Sequence, residues 1–464
     1  MAAGIFFVRR WCFGWPSVAT LAFSAIASLA NAADEKPAPD IRVGAAAVNL
    51  EADDSMPIAG GIGLALSKGQ EGELRVVAVV VEKPNVAKIA IVACDVLFVP
   101  REIVDPALAA IEKTTGIPPA HVIVNATHTH HAPSTTNIHG YERVEKFCKH
   151  LEAGIVAAVE KANANLDGGE ATFAFYLGEE KTVGRNSRLL MKDGKVYWIG
   201  PKDDAVKPTG PFDPALPVMA FRGRDEKLRA LLYNHSTHTI GTRSPGKRSP
   251  SFYGLAAQEL ESELGGVVGF LEGASGSTHN LGDVSMDQAI TRMKAAVTDA
   301  LVEAKPQPVD QLLSVKRPFK FRVRAFDEAA EDDKVVGYVR KYAPAGEEAI
   351  VSVFRNMRRE LKAQQGQERE TTIQVVQIGD VALVGVPAEY FTALGLDIKR
   401  RSPFKHTAIV ELANDWVGYL PDKEAHQLGG YQTWMGFHSY AEIGTGERMA
   451  EAAVEMLKEM RKAK

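Results

Sequence analysis

Residues 87–125 read as strand, helix and strand, and that order constrains the fold more than any other stretch of the chain. Residues 87–94 are apolar and rich in strand formers, and 100–115 have helical spacing. His121-Val122-Ile123-Val124 then forms a short buried strand after Gly116-Ile117-Pro118-Pro119. Such a unit closes almost always right-handed onto a parallel pair. Its second strand runs directly into Asn125-Ala126-Thr127-His128-Thr129-His130-His131-Ala132-Pro133, so three histidines stand where a strand gives way to a loop. Open α/β sheets hold their ligands there. In extended backbone His128 and His130 would project from one face about 7 Å apart, with His131 on the other. Imidazoles titrate near neutral pH and are the commonest metal ligands, which leaves metal binding and acid/base work both open for this cluster.

The rest of the chain alternates in the same manner. Strands are expected at 41–50, 74–82, 171–176, 267–271, 312–323 and 407–412, with hairpins at 218–233 and 372–386. Helices are expected at 144–165, 252–264, 285–303, 328–342, 349–364, 387–401 and 446–461, and Ser285 with Gln288 fits a capping box. Residues 56–63 form a glycine-rich loop suited to close backbone approach. Residues 184–217 are a turn-rich excursion of the kind that builds a rim or lid, with Tyr197, Trp198 and Ile199 as its apolar cluster. With no repeat and no linker, the pattern predicts one large mixed α/β domain over 41–464 with a metal site at its strand ends.

The chain begins with Arg9-Arg10, an apolar stretch through residues 18–29, and Ala30-Asn31-Ala32 before Ala33-Asp34-Glu35. This is the pattern of a secretory signal over 1–32 cleaved after Ala32, with 33–40 a loose leader, and it predicts a periplasmic or secreted protein. No later run approaches the ~18 apolar residues of a membrane span, so no integral membrane segment is expected once the signal is removed. Cys94 and Cys148 would be the remaining cysteines, enough for one bridge at most, which excludes a disulfide scaffold. A net charge of −4, with no block of like charges, gives no reason to expect a nucleic-acid partner.

A second pair, Asn234-His235-Ser236-Thr237-His238-Thr239, also ends an apolar strand. Two strand ends can each aim a histidine at one crevice, as an open α/β metal site requires. Among the carboxylates Glu389 stands out, behind residues 384–388 and ahead of Tyr390-Phe391. If Pro387 starts a helix, Glu389 lies in a first-turn field that favours its ionised, metal-binding form. The stretch Asn414-Asp415-Trp416-Val417-Gly418-Tyr419-Leu420-Pro421 again puts polar and aromatic residues after a strand.

Taken together, these places resemble the catalytic domain of the neutral, non-lysosomal ceramidases, zinc amidases that split the amide of N-acylsphingosines. The resemblance runs over about 41–434 and carries the family's Thr-His-Thr-His motif onto His128, a zinc ligand, and His130, a catalytic histidine. It makes His238 a second zinc ligand. Pro387-Ala388-Glu389-Tyr390-Phe391-Thr392 matches the segment holding the zinc glutamate, which implies Glu389. The spacing of Asn414, Tyr419 and Tyr431 matches a zinc-binding tyrosine and one that faces the reacting carbonyl. Arg188, in Arg185-Asn186-Ser187-Arg188, resembles a family arginine that holds a substrate oxygen.

Three departures accompany the likeness. The family's catalytic serine falls on His279 without a gap, or on Ser285 after a six-residue shift that competes with its reading as a helix cap. Ser251 stands where the family has an acidic residue, and no C-terminal β-sandwich domain is expected. The resemblance implies a Zn2+-dependent hydrolase of a small-molecule acyl amide, using activated water with His130 as proton shuttle and Tyr431 as oxyanion donor. An esterase or lactonase on the same site, and a periplasmic metal- or ligand-binding protein without turnover, are the alternatives. Surface loops without evident aromatics or leucines favour a polar, water-soluble substrate over long-chain ceramide.

Overall fold

The computed structural model describes Met1, residues 40–168 and residues 170–462. The signal sequence expected at 1–32 lies outside the described residues beyond Met1, as does the leader before Asp40. In the strand Arg75–Lys83 the side chains divide by parity: Val76, Ala78 and Val80 enter one apolar layer, and Val79 and Val81 another. Ala87–Cys94 repeats this, with Ala90, Val92 and Cys94 on the first side and Ile89, Ile91 and Ala93 on the second. A strand buried on both faces reads as a continuous apolar run, which is how both segments look in the sequence.

These strands belong to a nine-stranded sheet. Its order is Val267–Glu272, Leu228–His235, Ala215–Gly223, Glu170–Glu179, Ile41–Asn49, Arg75–Lys83, Ala87–Cys94 and Val122–Ala126, with Lys305–Gln307 added against Glu170–Glu179. The centre is antiparallel and the two ends are parallel, where Ala87–Cys94 meets Val122–Ala126 and Leu228–His235 meets Val267–Glu272. The expected strand–helix–strand unit is therefore present, with Arg101–Thr115 as its crossover.

One face of the sheet is covered by the helices Arg101–Thr115, Glu145–Ala164, Ser251–Leu264 and Met286–Glu303. The other packs on a four-stranded sheet ordered Leu312–Arg322, Glu368–Ile378, Val381–Gly385 and His406–Val410. Val81, Ile91, Ile123 and Phe173 meet Val376, Ile378, Leu383 and Val410 between the sheets. The far face of the smaller sheet, with Ile373, Val375, Val384 and Ile409, carries the helices Thr392–Arg401 and Thr445–Lys462. Helix, sheet, sheet and helix thus form four layers. Truncating one inter-sheet side chain, Ile91→Ala for example, should cost about 2–5 kcal/mol, since close-packed surroundings relax only partly. No helix among the described residues is long and apolar enough to cross a membrane.

Residues 387–401 differ from expectation. Val417 N–H donates to the Pro387 carbonyl (2.8 Å) and Glu389 N–H to that of Gly418 (3.1 Å), so Glu389–Tyr390 pairs in parallel with Tyr419–Leu420. The helix begins only at Thr392. A pairing partner thirty residues away has overridden the helix-starting preference of Pro387, and the first-turn field argued for Glu389 is absent.

Two buried asparagines join the sheets at the end where the histidine stretches emerge. Asn125 Nδ2 donates to the Glu411 carbonyl (2.5 Å) while its Oδ1 accepts from Glu272 N (3.1 Å). Asn234 Nδ2 donates to the carbonyls of Leu271 (2.8 Å) and Ile409 (2.9 Å).

Candidate metal centre

His128 follows the strand Val122–Ala126 and His238 follows Leu228–His235, both without exposed surface. The extended backbone expected at His128 is not found. Its φ is +60°, the left-handed region, which an L-residue occupies at a cost of about 1–3 kcal/mol and which concentrates at functional sites. This turn brings the His128 and His130 ring centroids to 4.8 Å and those of His128 and His238 to 4.4 Å. One ring nitrogen from each of the three histidines lies within 4.8 Å of the others, a spacing that can hold a metal ion.

The hydrogen bonds on the outer side of each ring fix its chemistry. His128 Nδ1 lies 3.1 Å from the Leu97 carbonyl, His130 Nδ1 3.2 Å from that of Gly60, and His238 Nδ1 3.0 Å from that of Ser275. A carbonyl only accepts, so each Nδ1 carries the proton and each Nε2 presents a lone pair. Burial and mutual repulsion hold His128 and His130 well below the usual imidazole value, and burial takes His238 to about 4, so all three are neutral.

Glu389 completes the cluster from the short strand that follows Val381–Gly385 of the smaller sheet. Its Oε1 is 3.5 Å from His128 Nε2 and 3.6 Å from His238 Nε2, and its Oε2 accepts from Trp416 Nε1 (3.1 Å). Burial pushes this carboxyl up to about 8, while hydrogen bonds from Tyr419 and Trp416 pull the other way. The Tyr419 hydroxyl is 3.0 Å from His238 Nε2. Three imidazole lone pairs and a carboxyl thus converge with few protons to share, and His128 Nε2 and His130 Nε2 face each other at 3.4 Å. Two lone pairs at that distance repel unless a cation or a shared proton relieves them. Imidazole nitrogens beside a carboxylate are donors that could hold a metal ion, and zinc is among the ions such a set accommodates.

A further layer holds these groups. Ser275 Oγ lies 3.3 Å from His238 Nδ1 and donates to Glu411 Oε1 (2.6 Å), whose other oxygen accepts from the Ser275 and Tyr390 amides. Metal histidines ordinarily have such partners on the far side of the ring. The amide of Gly60, whose carbonyl holds His130, donates to the Tyr141 hydroxyl (2.9 Å).

The remaining predicted residues divide. The His279 ring lies 4.5 Å from that of His238. Ser285 caps the helix Met286–Glu303 in the expected capping box with Gln288. Tyr431 is stacked between Trp198 (4.6 Å) and His438 (4.7 Å), so the segment 184–217 does reach the site through Trp198. Arg188 is fully buried, and its guanidinium donates to Gln432 Oε1 (2.7 Å) and the Gly429 carbonyl (2.6 Å), on either side of Gly430-Tyr431. His235 turns away, to the Tyr253 hydroxyl (2.5 Å) and the Glu180 carbonyl (2.9 Å). Cys94 and Cys148 are free and buried. Leu64 and Leu66, just after the glycine loop, are 66% and 57% exposed, so the loop surface carries apolar side chains that the sequence did not lead one to expect.

Sequence inspection passed over Ser275, Glu411, Tyr141 and His139. Only Gly60 had a signal, in the glycine-rich loop, and the His139-Gly140 dipeptide could have been taken as a tight-turn signal.

The layers and the site define a mixed α/β protein with a buried imidazole, carboxylate and phenol cluster where its two sheets meet. Its fold is that of neutral ceramidase, as the sequence resemblance implied. The crystal structure of neutral ceramidase from Pseudomonas aeruginosa superposes with a TM-score of 0.71 at 18% identity, covering 93% of this chain and 75% of that one. A ceramidase complexed with C2 gives the same score and identity, covering 92% and 76%. No protein-family model matches the chain, and no curated protein does.

Proposed function

We propose that the chain is an exported, zinc-dependent hydrolase that splits an N-acyl amide bond. The observation that carries this reading is the convergence of three Nε2 lone pairs beside Glu389, each histidine locked in that tautomer by a backbone carbonyl. His128, His238, Glu389 and Tyr419 would hold the metal. Bound there, zinc supplies Lewis acidity and brings the pKa of water from about 15.7 toward about 7.

The chain's own groups account for the rest. His130, with Nδ1 held by Gly60, keeps Nε2 free to take a proton from water as it adds to the carbonyl and to return it to the leaving nitrogen. The Tyr431 hydroxyl faces the oxygen on which charge develops, a donor worth roughly 3–4 kcal/mol. His279, beside His238, takes the place that the ungapped sequence resemblance gives to the family serine and would contact the substrate. Arg188 supports the Tyr431 segment from behind rather than meeting the substrate directly. A protein that only binds a ligand has no use for His130 and Tyr431 together.

The test is metal analysis of the purified protein, followed by turnover of fluorogenic N-acyl amides and esters. Stoichiometric zinc with amide cleavage is expected. A folded protein that binds no zinc, or binds it and cleaves no amide, would overturn the reading. N-terminal mass determination after expression should find Ala33 as the first residue if the chain is exported.

A further inference from the structure

The residues between the histidine stretch and the helix Glu145–Ala164 form a tight hairpin. Ile138 and Tyr141 exchange both backbone hydrogen bonds, at 3.1 and 3.0 Å, around His139 (φ +53°) and Gly140 (φ +88°). Positive φ at both central residues is the type I′ geometry, which favours Asn-Gly or Gly-Gly. A histidine at the first of these positions is strained, and nothing in the turn itself calls for it. The turn is fastened on both sides: Gly63 N–H donates to the His139 carbonyl (2.7 Å), and the Tyr141 hydroxyl accepts from Gly60 N–H. The strained residue is thus delivered to a fixed place. There His139 Nε2 lies 3.2 Å from the Tyr431 hydroxyl, its ring buried against His438 and Phe354.

We propose that His139 is a positioning residue acting through Tyr431: its Nε2–H donates to the phenol oxygen and leaves the hydroxyl proton free to point at the reacting carbonyl. The inference rests on the hydrolase reading for what Tyr431 does, but the hydrogen bond can be tested without it. Burial beside His438 keeps His139 neutral, so it has one proton to place. Stacking of Tyr431 between Trp198 and His438 fixes the plane of the phenol and leaves the direction of its O–H as the only freedom. An acceptor at His139 would draw that proton away from the substrate; a donor turns it toward the substrate.

The variant His139→Asn suits the turn and removes the ring, so it should fold. Against an N-butanoyl aminocoumarin amide it should lower kcat about fivefold to tenfold, the worth of one hydrogen bond, with KM little changed. His139→Gln, which keeps an amide donor near the same place, should recover most of the loss, and His139→Asn in a Tyr431→Phe background should cost nothing further. A 15N spectrum of histidine-labelled protein should show His139 as the Nε2–H tautomer, with a signal that moves in Tyr431→Phe. Multiplicative losses in the double variant, or the Nδ1–H tautomer, would overturn the proposal. If the wild-type protein cleaves no amide, the functional reading fails while the spectrum still decides the hydrogen bond.

Discussion

Gly60→Ala tests how His130 is held. A methyl group on Gly60 would sit 2.5 Å from His130 Nδ1, 2.6 Å from its Cγ and 2.7 Å from its Cβ, whereas ordinary contact begins at 3.4 Å. The ring would have to retreat by about 0.9 Å, and φ of +109° is itself unsuited to alanine. Retreat breaks the Nδ1 bond to the Gly60 carbonyl, which frees the tautomer and moves Nε2. A misplacement of about 1 Å in a reacting group costs roughly 100-fold in rate. Zinc should stay near stoichiometric, because His128, His238, Glu389 and Tyr419 do not touch Gly60. The assay is kcat on the N-acyl aminocoumarin amide with metal analysis of the same sample, and His130→Ala added to Gly60→Ala should cost little more. Activity within threefold of wild type would refute the argument that this carbonyl positions the base, and loss of zinc would make His130 a ligand.

His130→Ala and Tyr431→Phe should retain zinc and lose about 10²- to 10³-fold in turnover, whereas His128→Ala should lose the metal; equal zinc loss in all three would erase the division of roles. Ser285→Ala should lower stability by about 1 kcal/mol in chemical denaturation and leave kcat unchanged, as befits a helix cap and not a nucleophile. In metal-free protein the Glu389 carboxyl has a folded value of about 8 against 4.5 in the unfolded chain. Its contribution is fully present below pH 4.5 and is lost as pH rises through 8, so the melting temperature of the stripped protein should fall across that window and recover on zinc addition. A stripped protein that melts independently of pH there would show that Glu389 stays ionised.

The parts of this molecule that announce themselves in sequence are those whose causes are local. Val76 to Val81 and Ile89 to Cys94 carry their two-sided burial in their composition, and Ser285 with Gln288 carries its own helix start. His128, His130 and His238 could be found because a strand end limits where a side chain can go. Glu389 was found for a reason that does not hold: the pairing of 389–390 with 419–420 depends on a loop thirty residues distant, which no local preference encodes. His139 was missed because its meaning lies in a hydrogen bond to Tyr431, 292 residues away. Glu411 reaches Ser275, the partner of His238, only once the two sheets dock.

Each side of the seam brings two of the four proposed ligands. His128 and His238 come from ends of the nine-stranded sheet, and Glu389 and Tyr419 from a short parallel strand pair that follows Val381–Gly385 and His406–Val410 of the smaller one. An ion held by all four is therefore a rivet through the seam between sheets, with Asn125 and Asn234 as the stitches beside it. Chelation should loosen both plates at once, and amide exchange at the ends of 122–126 and 406–410 should quicken together although these strands share no ladder. The readiness of the chemistry and the mechanical closure of the sandwich would then be one and the same property.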